Sequence, residues 1–155
     1  DFALALLREA KKRHIHTTIE TCGHYPTDVL DQACRVLDAL IFDIKCLDSA
    51  RHKKATGVGS ELILKNIGHV FEPFPELPVL IRTPVIPGFN DTEEDILGIR
   101  EMIPRKANIR YEALTYHRMG QPKYGYLGRR YELEGVKADE AFMKRLNIML
   151  KSYEK

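Results

Sequence analysis

Five residues of this chain are of types that could act together on a charged ligand: Glu20, Asp43, Lys45, Arg82 and His117. Each closes or follows a short apolar or β-branched run: HIHTTIET from His14, LIFDIK from Leu40, VLIRTPVI from Val79 and IRYEALTY from Ile109. Asp43 and Lys45 are two apart, so on a strand they share a face with Ile41, while Phe42 and Ile44 take the other. A carboxylate and an ammonium on a buried strand are costly to desolvate unless they pair or bind something polar. Taken singly, each residue has a plain structural role. Asp43 and Lys45 make a strand-end ion pair, Glu20 a cap or loop contact, Arg82 a partner for one of the acids, and His117 an ordinary loop histidine. Their recurrence, one polar set per strand end, favours a shared site. His14 and His16 alternate, which a strand explains without a zinc ion.

The cysteines offer a different chemistry and fail to supply it. Cys22, Cys34 and Cys46 are spaced twelve residues apart. Disulfide frameworks favour even numbers, and zinc or cluster loops place ligands two to four residues apart. Three reduced thiols in a cytoplasmic protein are the expectation.

The elements that must position these residues alternate. Residues 3–12 read as a helix that ends in basic residues. Residues 14–21 are β-rich, and 28–39 carry apolar residues at helical spacing. LIFDIK is nearly continuous in apolar residues, the mark of a buried parallel strand. Residues 49–71 are helix-rich, and 79–86 form a third strand. Asp91-Thr92-Glu93-Glu94 caps a helix that stops at Pro104. Residues 109–116 form a fourth strand, followed by a glycine- and tyrosine-rich loop to about Tyr131. Residues 139–153 form a closing amphipathic helix. Strands separated by helical segments imply βαβ units and a parallel sheet. Four units are too few to close a barrel, and an open doubly wound sheet is the alternative. The polar residues at the strand ends favour the barrel.

Composition excludes several classes. The 155 residues, 44% apolar and 30% charged, suit one domain with a real core. The net charge of +2 does not suggest nucleic acid or a membrane surface as partner. No apolar run approaches the ~18 residues of a membrane span, and no signal peptide opens the chain. The start at Asp1-Phe2-Ala3, without Met, is read as a fragment of something longer.

The ordered segments ETCG (20–23), FDIK (42–45), TGV (56–58), IRTPVIPGFND (81–91) and YHRMG (116–120) resemble the glycyl-radical-enzyme activating enzymes of the radical S-adenosylmethionine superfamily. Lys123-Tyr124, Leu127-Gly128 and Tyr131 continue the likeness, which covers essentially the whole chain. Each motif alone is weak, and the series is specific. The resemblance implies an α/β fold, the C-terminal four β/α units of a partial TIM-like (β/α)6 barrel with parallel strands. Residues 1–155 would then be a single incomplete domain without its cluster-binding part. It implies that Glu20 contacts the ligand ammonium, Lys45 its carboxylate, and Arg82 the ligand and a partner peptide, with His117 near the ribose and adenine. Asp43 would help hold a monovalent cation. A zwitterionic amino acid needs an acid and a base, which Glu20 and Lys45 offer. Implied cofactors are S-adenosylmethionine and, in the full-length protein only, a 4Fe-4S cluster. Implied partners are a glycyl radical enzyme, with pyruvate formate-lyase the default, and flavodoxin or ferredoxin as electron donor.

The sequence departs from that family in lacking a CxxxCxxC loop, so no catalytic residue is expected in this fragment, which alone would be inactive. Glu20 stands where the pyruvate formate-lyase branch has aspartate. Two rivals remain. Asp43-Ile44-Lys45-Cys46-Leu47-Asp48 is a DxKxxD array like that of a cofactor-independent barrel lyase, although the other segments have no role there. A non-catalytic binding fragment is the third reading.

Overall fold

A computed structural model describes residues 2–153 and shows four parallel strands with helices between them. Helix α1 (Phe2–Lys12) leads to strand β1 (Thr18–Thr21), then α2 (Thr27–Cys34) and β2 (Ala39–Asp43). Helices α3 (Ser49–Thr56) and α4 (Glu61–Val70) precede β3 (Val79–Val85). The chain continues through α5 (Glu93–Met102), β4 (Ile109–Thr115), α6 (Gln121–Tyr126) and α7 (Glu140–Ser152). The sheet order is β1-β2-β3-β4, every pair parallel.

That order decides between the two architectures read from the sequence. A doubly wound sheet reverses its strand order and puts helices on both faces. Here the strands follow chain order, and crossovers of one hand then place the helices that connect the strands on one face. The core agrees. Leu40, Phe42 and Ile44 after and within β2, and Val79, Ile81 and Val85 in β3, are buried, all of one parity. They pack against Leu30 and Ala33 of α2, Ile63, Ile67 and Val70 of α4, and Ile99 of α5. A second cluster joins Val85 and Ala113 to Ile96, Met143, Leu146 and Leu150 under α7. The opposite face carries Glu20, Ile41, Asp43, Leu80, Arg82, Arg110 and Glu112 and bears no helix. A sheet covered on one side only is a segment of a barrel wall.

The first strand is shorter than its composition suggests. Residues 14–17 do not pair, because α1 ends in a Schellman turn: His14 N–H donates to Lys11 O and Ile15 N–H to Ala10 O, both at 3.0 Å. His14 takes the left-handed conformation there (φ 57°), a place glycine usually fills. Thus His14 and His16 precede the strand rather than alternating along it. Thr17 is held by Asp38, whose carboxylate accepts from Thr17 N–H at 2.8 Å. The residue 49–71 stretch splits at Gly57, whose φ of 90° closes α3. The glycine-tyrosine loop contains the short helix α6. Thr92 caps α5 as read, its hydroxyl accepting from Asp95 N–H at 3.1 Å.

Candidate functional site

Period-2 alternation puts charge on the bare face, and register brings those charges side by side. Glu20 pairs in register with Ile41, Asp43 with Arg82, and Arg82 with Glu112. The Arg82 guanidinium reaches both flanking acids, with Nη1 3.5 Å from Glu20 Oε2 and Nε 3.2 Å from Glu112 Oε2. Just past the strand end, Lys45 Nζ pairs with Asp43 Oδ1. All five side chains keep solvent access, so none is a buried uncompensated charge. Three acids and two bases therefore line one surface at the C-terminal half of the sheet, the end where barrel proteins place their chemistry.

The loops around this row are pinned by buried amides. Asn90, fully buried, donates Nδ2 to Lys45 O (2.6 Å) and Pro84 O (2.9 Å), and its Oδ1 accepts from Ile86 N–H (2.7 Å). One side chain thereby ties the ends of β2 and β3 together. Asn66 of α4, also fully buried, donates to Gly23 O (2.7 Å) and Tyr25 O (2.8 Å), fixing the turn after Glu20. Gly23 has φ 69°, and a Cβ there would meet Phe42 Cζ at 2.2 Å. The turn thus needs glycine twice over, for conformation and for space.

His117 is not part of this set. It is exposed in the loop after β4, where its Nδ1 lies 3.4 Å from Met119 N. Glu112 was missed at the sequence level, although it alternates with Tyr111 and Ala113 on IRYEALT and so had to share a face with Arg110. Asn66 carried no signal, since a polar residue in a helix reads as surface, and Asn90 stood only within the IRTPVIPGFND segment with no role read for it. Asp48, the third member of the DxKxxD array, caps α3 by accepting from Arg51 N–H at 2.9 Å. That structural role accounts for it without catalysis.

The thiols do not converge. Cys22 is exposed, while Cys34 and Cys46 are buried on different units. Burial, with Asp31 nearby, pushes the Cys34 thiol up to about 11, which disfavours the thiolate that metals require. Among the described residues, no group of three His, Cys, Asp or Glu side chains could hold a metal ion. No described helix is long and apolar enough to cross a membrane.

The one-sided parallel sheet with charged groups at its C-terminal ends has the arrangement of part of a β/α-barrel wall. Comparison with known proteins narrows this. The chain is 98% identical over all 155 residues to a (2S)-3-sulfopropanediol sulfolyase activating enzyme of Bilophila wadsworthia, covering 51% of that protein. It is 46% identical over 149 residues to an isethionate sulfite-lyase activating enzyme of Nitratidesulfovibrio vulgaris, covering 48% of it. The chain thus spans about half the length of the curated relatives it matches. A crystallised domain of a pyruvate formate-lyase-activating enzyme from Bacteroides vulgatus superposes with a TM-score of 0.74 at 25% identity, covering 98% of this chain and 85% of that domain. No protein-family model matches. By sequence and by fold, the chain is similar to the glycyl-radical-enzyme activating enzymes over about half of their length.

Proposed function

We propose that these 155 residues are the C-terminal four units of a radical S-adenosylmethionine activase, whose cluster-binding part lies outside them. The observation that carries the reading is the charge row on the bare face. A methionine-type zwitterion presents one ammonium and one carboxylate, and this face offers Glu20 to the first and Lys45 to the second. Arg82, held between Glu20 and Glu112, orients the acid for the ammonium. Binding the ligand carboxylate exchanges one carboxylate partner of Lys45 for another, so the ammonium is never left bare. Asp43, released in that exchange, is the residue to hold a monovalent cation. His117 stands exposed in the loop after β4, from which it can approach an adenosine.

The cofactor fits in part. S-adenosylmethionine suits the charge row, whereas the 4Fe-4S cluster has no fit among Cys22, Cys34 and Cys46 and needs thiolates from the rest of the protein. Held by the rest of the protein, the cluster would supply the electron for cleavage of the ligand, and the 5′-deoxyadenosyl group released would accept the hydrogen atom from a glycine of the partner. The 98% identity favours a sulfolyase acting on a sulfonated diol as that partner, in place of the pyruvate formate-lyase assumed from motifs. A flavodoxin or ferredoxin is the expected electron donor, and the cytoplasm the expected compartment.

The test is chromatographic. Full-length protein, loaded with its cluster and reduced, should convert S-adenosylmethionine to 5′-deoxyadenosine and leave a glycyl radical signal on the sulfolyase. The 155-residue chain, treated identically with iron and sulfide, should do neither. Product from the short chain would overturn the fragment reading, and none from the full protein would overturn the activity.

A further inference from the structure

The loop after β4 carries a surface that the proposed chemistry does not use. Met119 is 79% exposed, Tyr126 87% and Leu127 69%. Large apolar side chains this open mark contact surfaces when they gather in one segment. The segment is strongly one-signed as well. From Ala113 to Tyr131 there is no aspartate or glutamate, while Lys123, Arg129 and Arg130 are exposed beside the apolar residues. Tyrosine, methionine and arginine are the residues that protein interfaces enrich.

The segment is also built rather than loose. The Tyr116 and Tyr131 hydroxyls are hydrogen-bonded at 2.5 Å, closing its two ends on each other. The Tyr124 ring meets the Tyr131 ring edge-on, with centroids 4.9 Å apart and planes at 70°. Arg129 N–H donates to Tyr124 O at 2.8 Å and Leu127 N–H to Lys123 O at 3.2 Å. These contacts hold Tyr116 and Tyr131 partly buried and leave Tyr126 and Leu127 outward, with Tyr124 between them in exposure. The loop follows β4, at the edge of the sheet opposite β1.

We propose that this segment is the docking surface for the protein substrate, and that the substrate meets it with an acidic patch surrounding an apolar contact. The inference rests on the activase reading above, because the loop rises from the same strand ends as the charge row and a protein bearing the reacting glycine must approach that rim. The apolar residues supply residence time, and the cations steer the encounter.

The experiment uses the full-length, cluster-loaded protein and immobilised (2S)-3-sulfopropanediol sulfolyase. Tyr126→Ser with Leu127→Ser should weaken binding by roughly tenfold or more, mainly through faster dissociation. Arg129→Glu with Arg130→Glu should slow association by about tenfold at low salt, a deficit that fades near 0.5 M salt. Both pairs are exposed, and circular dichroism with a thermal melt verifies that each variant folds. Partner-independent formation of 5′-deoxyadenosine should be unchanged in both. Unaltered sulfolyase binding in both variants overturns the docking assignment. A marked fall in melting temperature overturns it too, because the surface would then be packed against the protein's own remainder. Loss of binding to nucleic acid or to anionic vesicles, with the sulfolyase unaffected, likewise overturns it. Absence of 5′-deoxyadenosine from the unmodified protein is a separate outcome that removes the activase reading itself.

Discussion

Lys45 and Arg82 show how little a residue's type says about its partner. Both are cations on one sheet face, yet Lys45 pairs only with Asp43, whereas Arg82 sits between Glu20 and Glu112. Solvent still reaches this pair, with Lys45 31% and Asp43 19% exposed, so a ligand carboxylate can reach Lys45 as well. Lys45→Ala in the full-length protein should weaken S-adenosylmethionine binding by roughly 1.5–3 kcal/mol, the worth of a charge-assisted hydrogen bond. Isothermal titration of the cluster-loaded protein measures it, and an unchanged affinity would reduce Lys45 to a partner of Asp43. Glu20, Asp43, Lys45 and Arg82 were all legible as strand-end charges. Their pairing was legible only as a set of options, because a charge on a strand reaches several neighbours and register chooses among them. His117 belonged to the same reading, and the structure leaves it outside the paired row.

At the scale of elements, turns rather than strands determine how accurately the row is held. The ETCG turn shows why. Gly23 adopts a left-handed conformation, its carbonyl accepts from Asn66 at 2.7 Å, and its missing side chain leaves room for the Phe42 ring. Gly23→Ala combines the left-handed penalty, ~1–2 kcal/mol, with overpacking of a buried aromatic, ~1–3 kcal/mol. The 155-residue chain should therefore lose about 2–5 kcal/mol, read as a fall in its urea midpoint. A loss under about 1 kcal/mol would show that the turn can relax away from Phe42. Boundaries were the weakest part of the sequence reading for the same reason. The β-rich residues 14–17 are taken by the exit from α1, where the Schellman bonds and the Asp38 contact to Thr17 outcompete strand pairing.

Across the molecule, Asp38 is a long-range fastener. It accepts from Lys11 Nζ at 2.5 Å, tying α1 to the segment before β2, and from Thr17 N–H at the entry to β1. Those donors, Lys11 first, lower its carboxyl from the ordinary 3.8 to about 2. A depressed carboxylate stabilises the fold above its unfolded value and loses that contribution as pH falls through its folded value. Asp38→Asn should therefore lower the urea midpoint at pH 7, and the gap to the unmodified chain should close between about pH 4 and pH 2. A gap that persists at pH 2 would assign the loss to geometry rather than charge.

The sequence by itself determined the alternation of strands and helices, the cap within Asp91-Thr92-Glu93-Glu94, and the face on which each charge lies. These follow from interactions within a few residues, where period and side-chain chemistry act directly. Only the tertiary structure decided that the connecting helices cover one face, that Arg82 reaches Glu112, and that Asn66 and Asn90 are buried anchors. Strand order, crossover hand and register arise from contacts 20 or more residues apart, as the Asn90 bond to Lys45 and the Asn66 bond to Gly23 show. No local pattern encodes such a contact, because the same amide suits a solvated surface as well as a buried carbonyl, and packing alone determines which it meets.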